Sequence, residues 1–500
     1  MKADSNTDRR SMTIGGEMDE RSIVSTDFNE KIPYYVLRLI SGANTTVEWW
    51  DDSGVVVTSC GTQFMLTKEQ FQQIELVKAL TLDTLKLSGV NPPFNTEDVI
   101  RAISTAKRVT RAACGIEPGK LKVLFLRDAE NGVTFYRIIQ PMTFLKQLAD
   151  SPIHAEETDY LTLHIGLDFD ALIAPRQLGP GACGILQHLQ AVGRTVVYET
   201  DDLLDAIPNW NPNKALFKGG DSLRRNELQR RADGAIVSTP ELRDAMPNKN
   251  ATYVVPNAIN PELWRVPELK HDGEIRILWA GTNTHEADLH MITPALKAVL
   301  RQEKRVKLVF VGYLPNAFKS VETQNGVLAE VVSPEYRGRV VYQPGCNVFQ
   351  WPMLLASMKC HMAISPLKQH PFNAAKSELK VLEAWALGIP IVASRIAPYE
   401  RAITDGVDGI LVSDDNNSWE THILRLVRDV EARKSMGVAG NKALELKGYL
   451  AHQAAENMER ALCAIALPKI QRPECKAAVE ALLAKEPRFK SMTSAATVTW

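Results

Sequence analysis

From Lys120 onward, short runs of wholly apolar residues alternate with longer segments whose apolar positions recur at helical spacing. KVLFL, DALIAP, TVVY, GAIV and TYVV form a first series, and IRILWA, VKLVFV, RVVY, HMAIS, IPIVAS and GILV a second. Strands that are apolar on both faces and separated by helices predict parallel, doubly wound sheets. Two such series, each of roughly 150 to 200 residues, predict an α/β fold of two Rossmann-like domains facing across a cleft. Before Lys120 the rhythm differs. YYVLRLI, TTVEWW, GVVVTSC and QFML are β-branched and aromatic runs broken by Gly, Asn and Asp, the pattern of a small antiparallel sheet. Phe71, Ile74 and Val77 then fall at helical spacing, so this part reads as an appended N-terminal α+β module. The expected divisions are a polar tail over 1–30, the module over 31–118, a first Rossmann-like domain over 119–262, a second over 263–468, and a C-terminal helix and tail over 469–500. Gly115-Ile-Glu-Pro-Gly119 is the expected linker.

The 500 residues are 45% hydrophobic and 23% charged, which excludes collagen-like, disulfide-stapled and wholly disordered chains. Lys plus Arg (58) nearly cancels Asp plus Glu (59), so no global field holds a polyanion, although a local basic patch still could. The seven cysteines stand singly, without the pairing or His partners of a metal site, and are expected to be reduced thiols. No apolar run reaches the roughly 18 to 20 residues of a membrane span, and the first residues lack the apolar core of a signal peptide, so a cytoplasmic protein is expected, in the host cytoplasm if viral.

The segment most informative about chemistry runs from Phe372 to Pro390. Asn373 as N-cap and Gly388 with Pro390 as stop predict one helix of about four turns, on which Lys376, Lys380 and Glu383 share a stripe. Two cations near the positive end of a helix suit a docked anion such as a pyrophosphate, and Glu383 could accept from sugar hydroxyls. The competing reading is an exposed helix with one weak Lys380–Glu383 pair. After the strand IRILWA, Gly281 would let main-chain N–H groups approach phosphate, with Thr282 and His285 beside it; a solvent-facing His285 is the alternative. Gly132 opens the loop after the first strand, and Tyr136 or Arg137 could line the cleft, unless Arg137 is a solvated helix residue. Asp201 and Asp202 end the strand TVVY, where open α/β sheets bind ligands, and could orient an acceptor hydroxyl, take its proton or hold a divalent ion; N-capping is the alternative. Arg176 is a weaker candidate of the same kind, and His164 reads as a core residue. Arg224, Arg225, Arg230 and Arg231 recur at helical spacing as a cationic face. Trp49 and Trp50 could stack a base or a sugar, or simply form core.

The run NAAKSELKVLEAWALGIPIVAS, followed by ERAITDGVDGILV, resembles the C-terminal nucleotide-sugar site of GT-B glycosyltransferases of the GT4-like, group 1 class. VVPNAINPELW is similar to that family's hinge, and ILWAGT to its strand-glycine loop; together these cover 120–467. The resemblance implies transfer of a sugar, with retention, from a nucleoside-diphosphate sugar, a UDP-sugar by preference, with no obligatory metal. The second domain would hold the donor and the first the acceptor. Lys376, Asp201 and Asp202 would serve catalysis; Gly281, Thr282, His285, Asn373, Ser377, Lys380 and Glu383 the donor; Gly132, Tyr136 and Arg137 the acceptor or phosphate loop. One position departs: the family often has two glutamates eight apart, and Ala375 stands at the earlier place. Three acceptor readings remain open: a glycan, a hydroxymethylpyrimidine base of viral DNA, or none at all in a non-catalytic sugar-nucleotide-binding protein. The oligomeric state is not fixed by these patterns.

Overall fold

The computed structural model describes residues 45–51, 54–59, 62–67 and 119–484, with gaps at 128–130, 160, 162, 177–179, 218–219, 270–272 and 325–326. In the N-terminal module β1 (Thr45–Asp51), β2 (Gly54–Ser59) and β3 (Thr62–Thr67) form the expected antiparallel sheet, with Val57 opposite both Val47 and Phe64. The tail over 1–30, the helix expected around Phe71 to Val77 and the chain after 484 lie outside the described residues.

Two six-stranded parallel sheets follow. The first contains β4 (Leu121–Leu126), β5 (Ile153–Thr158), β6 (Ala171–Pro175), β7 (Thr195–Thr200), β8 (Gly234–Val237) and β9 (Thr252–Val254), in the order β5-β4-β6-β7-β8-β9. Phe125, Ile173, Val197 and Ile236 are fully buried in it, as strands covered on both faces require. β5, with the sequence IHAEET, was not among the apolar runs. It sits at the sheet edge, pairs only with β4 and leaves His154 exposed, so it needs apolar residues on one side only. The second sheet begins with β10 (Ile275–Ala280) and β11 (Val306–Val311). A hairpin of β12 (Lys319–Gln324) and β13 (Val327–Val332) stands apart from it, and β14 (Val340–Gln343), β15 (Met362–Ser365), β16 (Ile391–Ser394) and β17 (Ile410–Val412) complete the order β14-β11-β10-β15-β16-β17.

The chain crosses between the lobes twice. After β9 it enters the second lobe, and at Ile259 the two crossings bond: the Ile259 N–H donates to Tyr449 O (2.8 Å), and the Ala451 N–H to Ile259 O (2.9 Å). The helix Ala451–Ala466 then packs Ala455, Met458 and Leu462 against Val123, Ile173 and Val197 of the first sheet. Cys475 and Val479 of the helix Pro473–Ala484 join the same core. Residues after Tyr449 therefore complete the first lobe, although they follow the second in sequence. Among the described residues no helix is long and apolar enough to cross a membrane.

Candidate functional site

The carboxyl ends of both sheets face a cavity of about 980 Å³ walled by the two lobes. Its central feature is the segment after β15, which departs from the single helix expected there. A short helix, Pro371–Ala374, is capped by His370, whose Nδ1 accepts the Phe372 N–H (3.2 Å), and a second, Leu379–Ala386, begins after a four-residue break. The break has a tertiary cause. The Ala375 carbonyl, which a continuous helix would direct at the Leu379 N–H, accepts the Thr239 hydroxyl (2.9 Å), and the Ser377 hydroxyl accepts the Asn257 amide (2.9 Å). Gly388 ends the second helix as expected: at φ +68° its N–H bonds Trp385 O (2.9 Å), and the Ile389 N–H bonds Ala384 O (3.1 Å).

Asn373 is neither the cap nor a wall of the cavity. It is buried, and its amide donates to Lys368 O (3.0 Å) and Asp288 Oδ1 (3.3 Å). Asp288 is a hub that the sequence reading missed, also taking the Lys368 N–H (2.9 Å) and His285 Nδ1 (2.8 Å). Because a carboxylate can only accept, Nδ1 of His285 carries the proton and Nε2 remains an acceptor. Burial, with the Lys380 and Lys376 charges behind it, pulls His285 down to about 4, so the ring is neutral at pH 7. His285 is not solvent-facing: its side chain is 13% exposed and lines the cavity beside Gly281 and Thr282.

Lys380 rises from the first turn of the second helix, donates to Ala280 O and lies 5.2 Å over the Trp279 ring. A Cβ at Gly281 would stand 2.7 Å from its Nζ, so glycine is what allows the ammonium to reach the end of β10. Burial pulls Lys380 down to about 8; Lys376 adds to this and Glu383 opposes it. Glu383, one turn on, accepts from Tyr136 OH (3.3 Å) of the first lobe and Trp351 Nε1 (3.0 Å) through Oε1. Lys376, in the break, packs 4.4 Å over Phe372 and reaches Asp202 Oδ1 across the cleft at 3.4 Å. Lys376, Ser377, Lys380 and Glu383 all border the cavity.

On the facing wall stand Gly132, Tyr136, Asp201 and Asp202. Asn131 caps the helix that Gly132 begins, its Oδ1 accepting the Thr134 N–H (3.0 Å), and a Cβ at Gly132 would meet nothing within 4 Å. Neither aspartate caps a helix. Arg176 Nη1 donates to Asp201 Oδ1 (2.7 Å) and Asp202 Oδ2 (2.6 Å). Burial raises both carboxyls, but Lys376 and Arg176 outweigh it at Asp202, which is held below the usual range. Asp201, beside that charge, is pushed above it. Arg137 is corrected on both counts: it neither lines the cavity nor meets solvent. It is 1% exposed, with Nε on Glu199 Oε1 (2.6 Å) and Nη1 on Val255 O (2.6 Å) and Asn257 Oδ1 (3.1 Å). A π-helical turn, Phe135–Ile139, carries both Tyr136 and Arg137, and turns Tyr136 to the cavity while Arg137 enters the interior.

Of the arginine face, Arg230 and Arg231 stay on the surface and Arg225 leaves it. Arg225 is buried against Asp205, while Arg230 and Arg231 both pair with Glu227 on their own helix. The side chains of His164, Trp49 and Trp50 lie outside the described residues. Among the described residues no group of three His, Cys, Asp or Glu gathers to hold a metal.

Residues 274–429 match the family of glycosyl transferases group 1. The chain is 22% identical over 196 residues to an uncharacterized glycosyltransferase of Methanocaldococcus jannaschii, covering 39% of this chain and 49% of that protein. It is 43% identical over 60 residues to a D-inositol 3-phosphate glycosyltransferase of Paenarthrobacter aurescens, 12% of this chain and 15% of that one. It thus spans about half the length of the first relative and less of the second. Among solved structures it is similar to Anabaena HepE in complex with UDP and glucose, at 13% identity and TM-score 0.48, over 68% of this chain and 99% of that one. It is also similar to sucrose-phosphate synthase from Thermosynechococcus elongatus, at 14% identity and TM-score 0.49, over 69% of this chain and 99% of that one.

Proposed function

We propose, starting from a second lobe that matches the glycosyl transferases group 1 family over residues 274–429, that the protein is a glycosyltransferase taking a sugar from a nucleoside diphosphate to an acceptor hydroxyl. The observation that carries this reading is the convergence of Lys376 and Lys380 on one side of a cavity whose other side bears Asp201 and Asp202. Cleavage of a sugar–diphosphate bond leaves charge on the departing diphosphate, and fixed cations aimed at that charge are the main catalytic device available. Lys380 is held at the end of β10 and Lys376 on a mobile-length side chain from the break. Both can turn to phosphate oxygens, Lys376 by leaving Asp202. Glu383 keeps Oε2 for sugar hydroxyls while Tyr136 and Trp351 hold Oε1. Asp202, held ionised, suits a group that orients or deprotonates the acceptor hydroxyl once Lys376 has moved to the donor. Retention of configuration and a UDP-sugar donor are parts of the proposal that rest on family resemblance.

The test is steady-state hydrolysis and transfer with a panel of UDP-, GDP- and ADP-sugars. Lys376→Ala is expected to lower turnover by about 10² to 10³, the cost of losing one such donor. Glu383→Ala is expected to raise the donor KM by about tenfold, as for a hydrogen bond to a charged group. Normal kinetics in both variants would remove the donor site.

A further inference from the structure

Three of the four residues in the break before the Lys380 helix bond the first lobe directly, and the fourth, Glu378, is linked to it through Arg401. Ala375 O accepts the Thr239 hydroxyl (2.9 Å), Lys376 Nζ reaches Asp202 (3.4 Å), and Ser377 Oγ accepts the Asn257 amide (2.9 Å). Glu378, 1% exposed, accepts from Arg401 Nη2 (2.8 Å). The other end of that guanidinium grips both carboxylate oxygens of Glu241, at 3.0 and 2.7 Å. These anchors are themselves fixed. Thr239 Oγ1 caps its own helix by accepting the Leu242 N–H (3.2 Å), which leaves its proton for Ala375. Asn257 Oδ1 is held by the buried Arg137, which orients its amide toward Ser377.

From this arrangement we propose that Thr239, Asn257 and the Glu241–Arg401 pair are positioning residues, which set the 375–378 segment so that Lys376 meets the diphosphate only when the two lobes are together. The inference rests on the phosphate role given to Lys376 above. Approach of the lobes and placement of the lysine are then one event, because the segment whose Ala375, Lys376 and Ser377 contact the first lobe also carries the cation. One rigid guanidinium that gives Nη1 to Glu241 and Nη2 to Glu378 fixes the two carboxylates relative to each other, which suits it to holding a loop rather than merely attracting one.

The experiment measures binding of inorganic pyrophosphate, the group common to every nucleoside-diphosphate sugar, by calorimetry on the full chain. Glu241 is partly exposed, so Glu241→Gln should fold; Thr239→Val and its conservative partner Thr239→Ser complete the set. Glu241→Gln and Thr239→Val are each expected to weaken pyrophosphate about fivefold, in the range of coupling within one hydrogen-bond network, and Thr239→Ser to restore it. The deciding comparison is a double-mutant cycle: in a Lys376→Ala background, Glu241→Gln should add no further loss, since its effect passes through Lys376. Losses that simply add would make the contacts structural alone and overturn the proposal, as would unchanged affinity in both variants. If the unmodified protein binds no pyrophosphate, or if Lys376→Ala binds it normally, the phosphate site itself fails, and this inference with it.

Discussion

Lys380 makes the clearest pH-dependent claim at the scale of single residues. In the free protein burial holds its ammonium near the point of discharge, with a pKa of about 8 against the ordinary 10.5. A diphosphate at Nζ stabilises the charged form, so binding raises that pKa and takes up a proton wherever the free amine is partly neutral. The sign is fixed: affinity for UDP should hold at pH 7 and fall as pH rises through about 8. A diphosphate itself is fully ionised above roughly pH 7, its last pKa lying near 6, so the fall would not come from the ligand. Calorimetry in buffers of different ionisation heat would read the proton uptake directly, and affinity independent of pH from 7 to 9 would contradict the burial of Lys380 in the cavity. His285, neutral across that range, contributes no charge to the dependence.

Among secondary-structure elements, the break at 375–378 and the Gly388 stop show how the helix after β15 is delimited. A single four-turn helix fitted the spacing, but the N-terminal part yields its backbone groups to the first lobe. At the other end the geometry is local. Gly388 sits at φ +68°, and a Cβ there would also come within 3.0 Å of Val266. Gly388→Ala should therefore cost about 1 to 2 kcal/mol, the usual penalty of the left-handed region, seen as a lower urea midpoint. No loss would mean that the helix ends in some other conformation. The hairpin of β12 and β13 was legible in principle, since Asn325-Gly326 between alternating runs is a strong two-residue turn signal. It supplies Lys319 and Glu330, paired at 2.9 Å, to the cavity wall.

For the whole molecule, the two lobes share a cavity whose facing walls are joined by charged and hydrogen-bonding side chains rather than by a continuous apolar interface. The small cluster of Leu204, Ile207 and Phe372 and the edge-to-face pair of Phe135 with Phe349 are apolar contacts at that junction. A ligand that supplies anionic oxygens to Lys376 and Lys380 should therefore stabilise the closed arrangement as a whole. At 100 times its Kd a nucleoside diphosphate is expected to add about 2.7 kcal/mol, and a thermal-shift panel of UDP, GDP and ADP would identify the base. If no diphosphate of the panel shifts the transition, the donor reading fails at this scale.

Sequence alone determined the two parallel sheets, the Gly388 stop and the placing of Lys380 and Glu383 on one helix, because apolar runs, helical spacing and glycine positions express local rules of burial and backbone freedom. Tertiary structure decided the rest. Arg137, Asn257, Thr239 and Arg401 took their roles from partners 23 to 160 residues away, at distances no periodicity encodes. Asn373 lost its cap to His370 and its place in the cavity to Asp288, because a buried amide goes where a buried carboxylate and carbonyl need its protons.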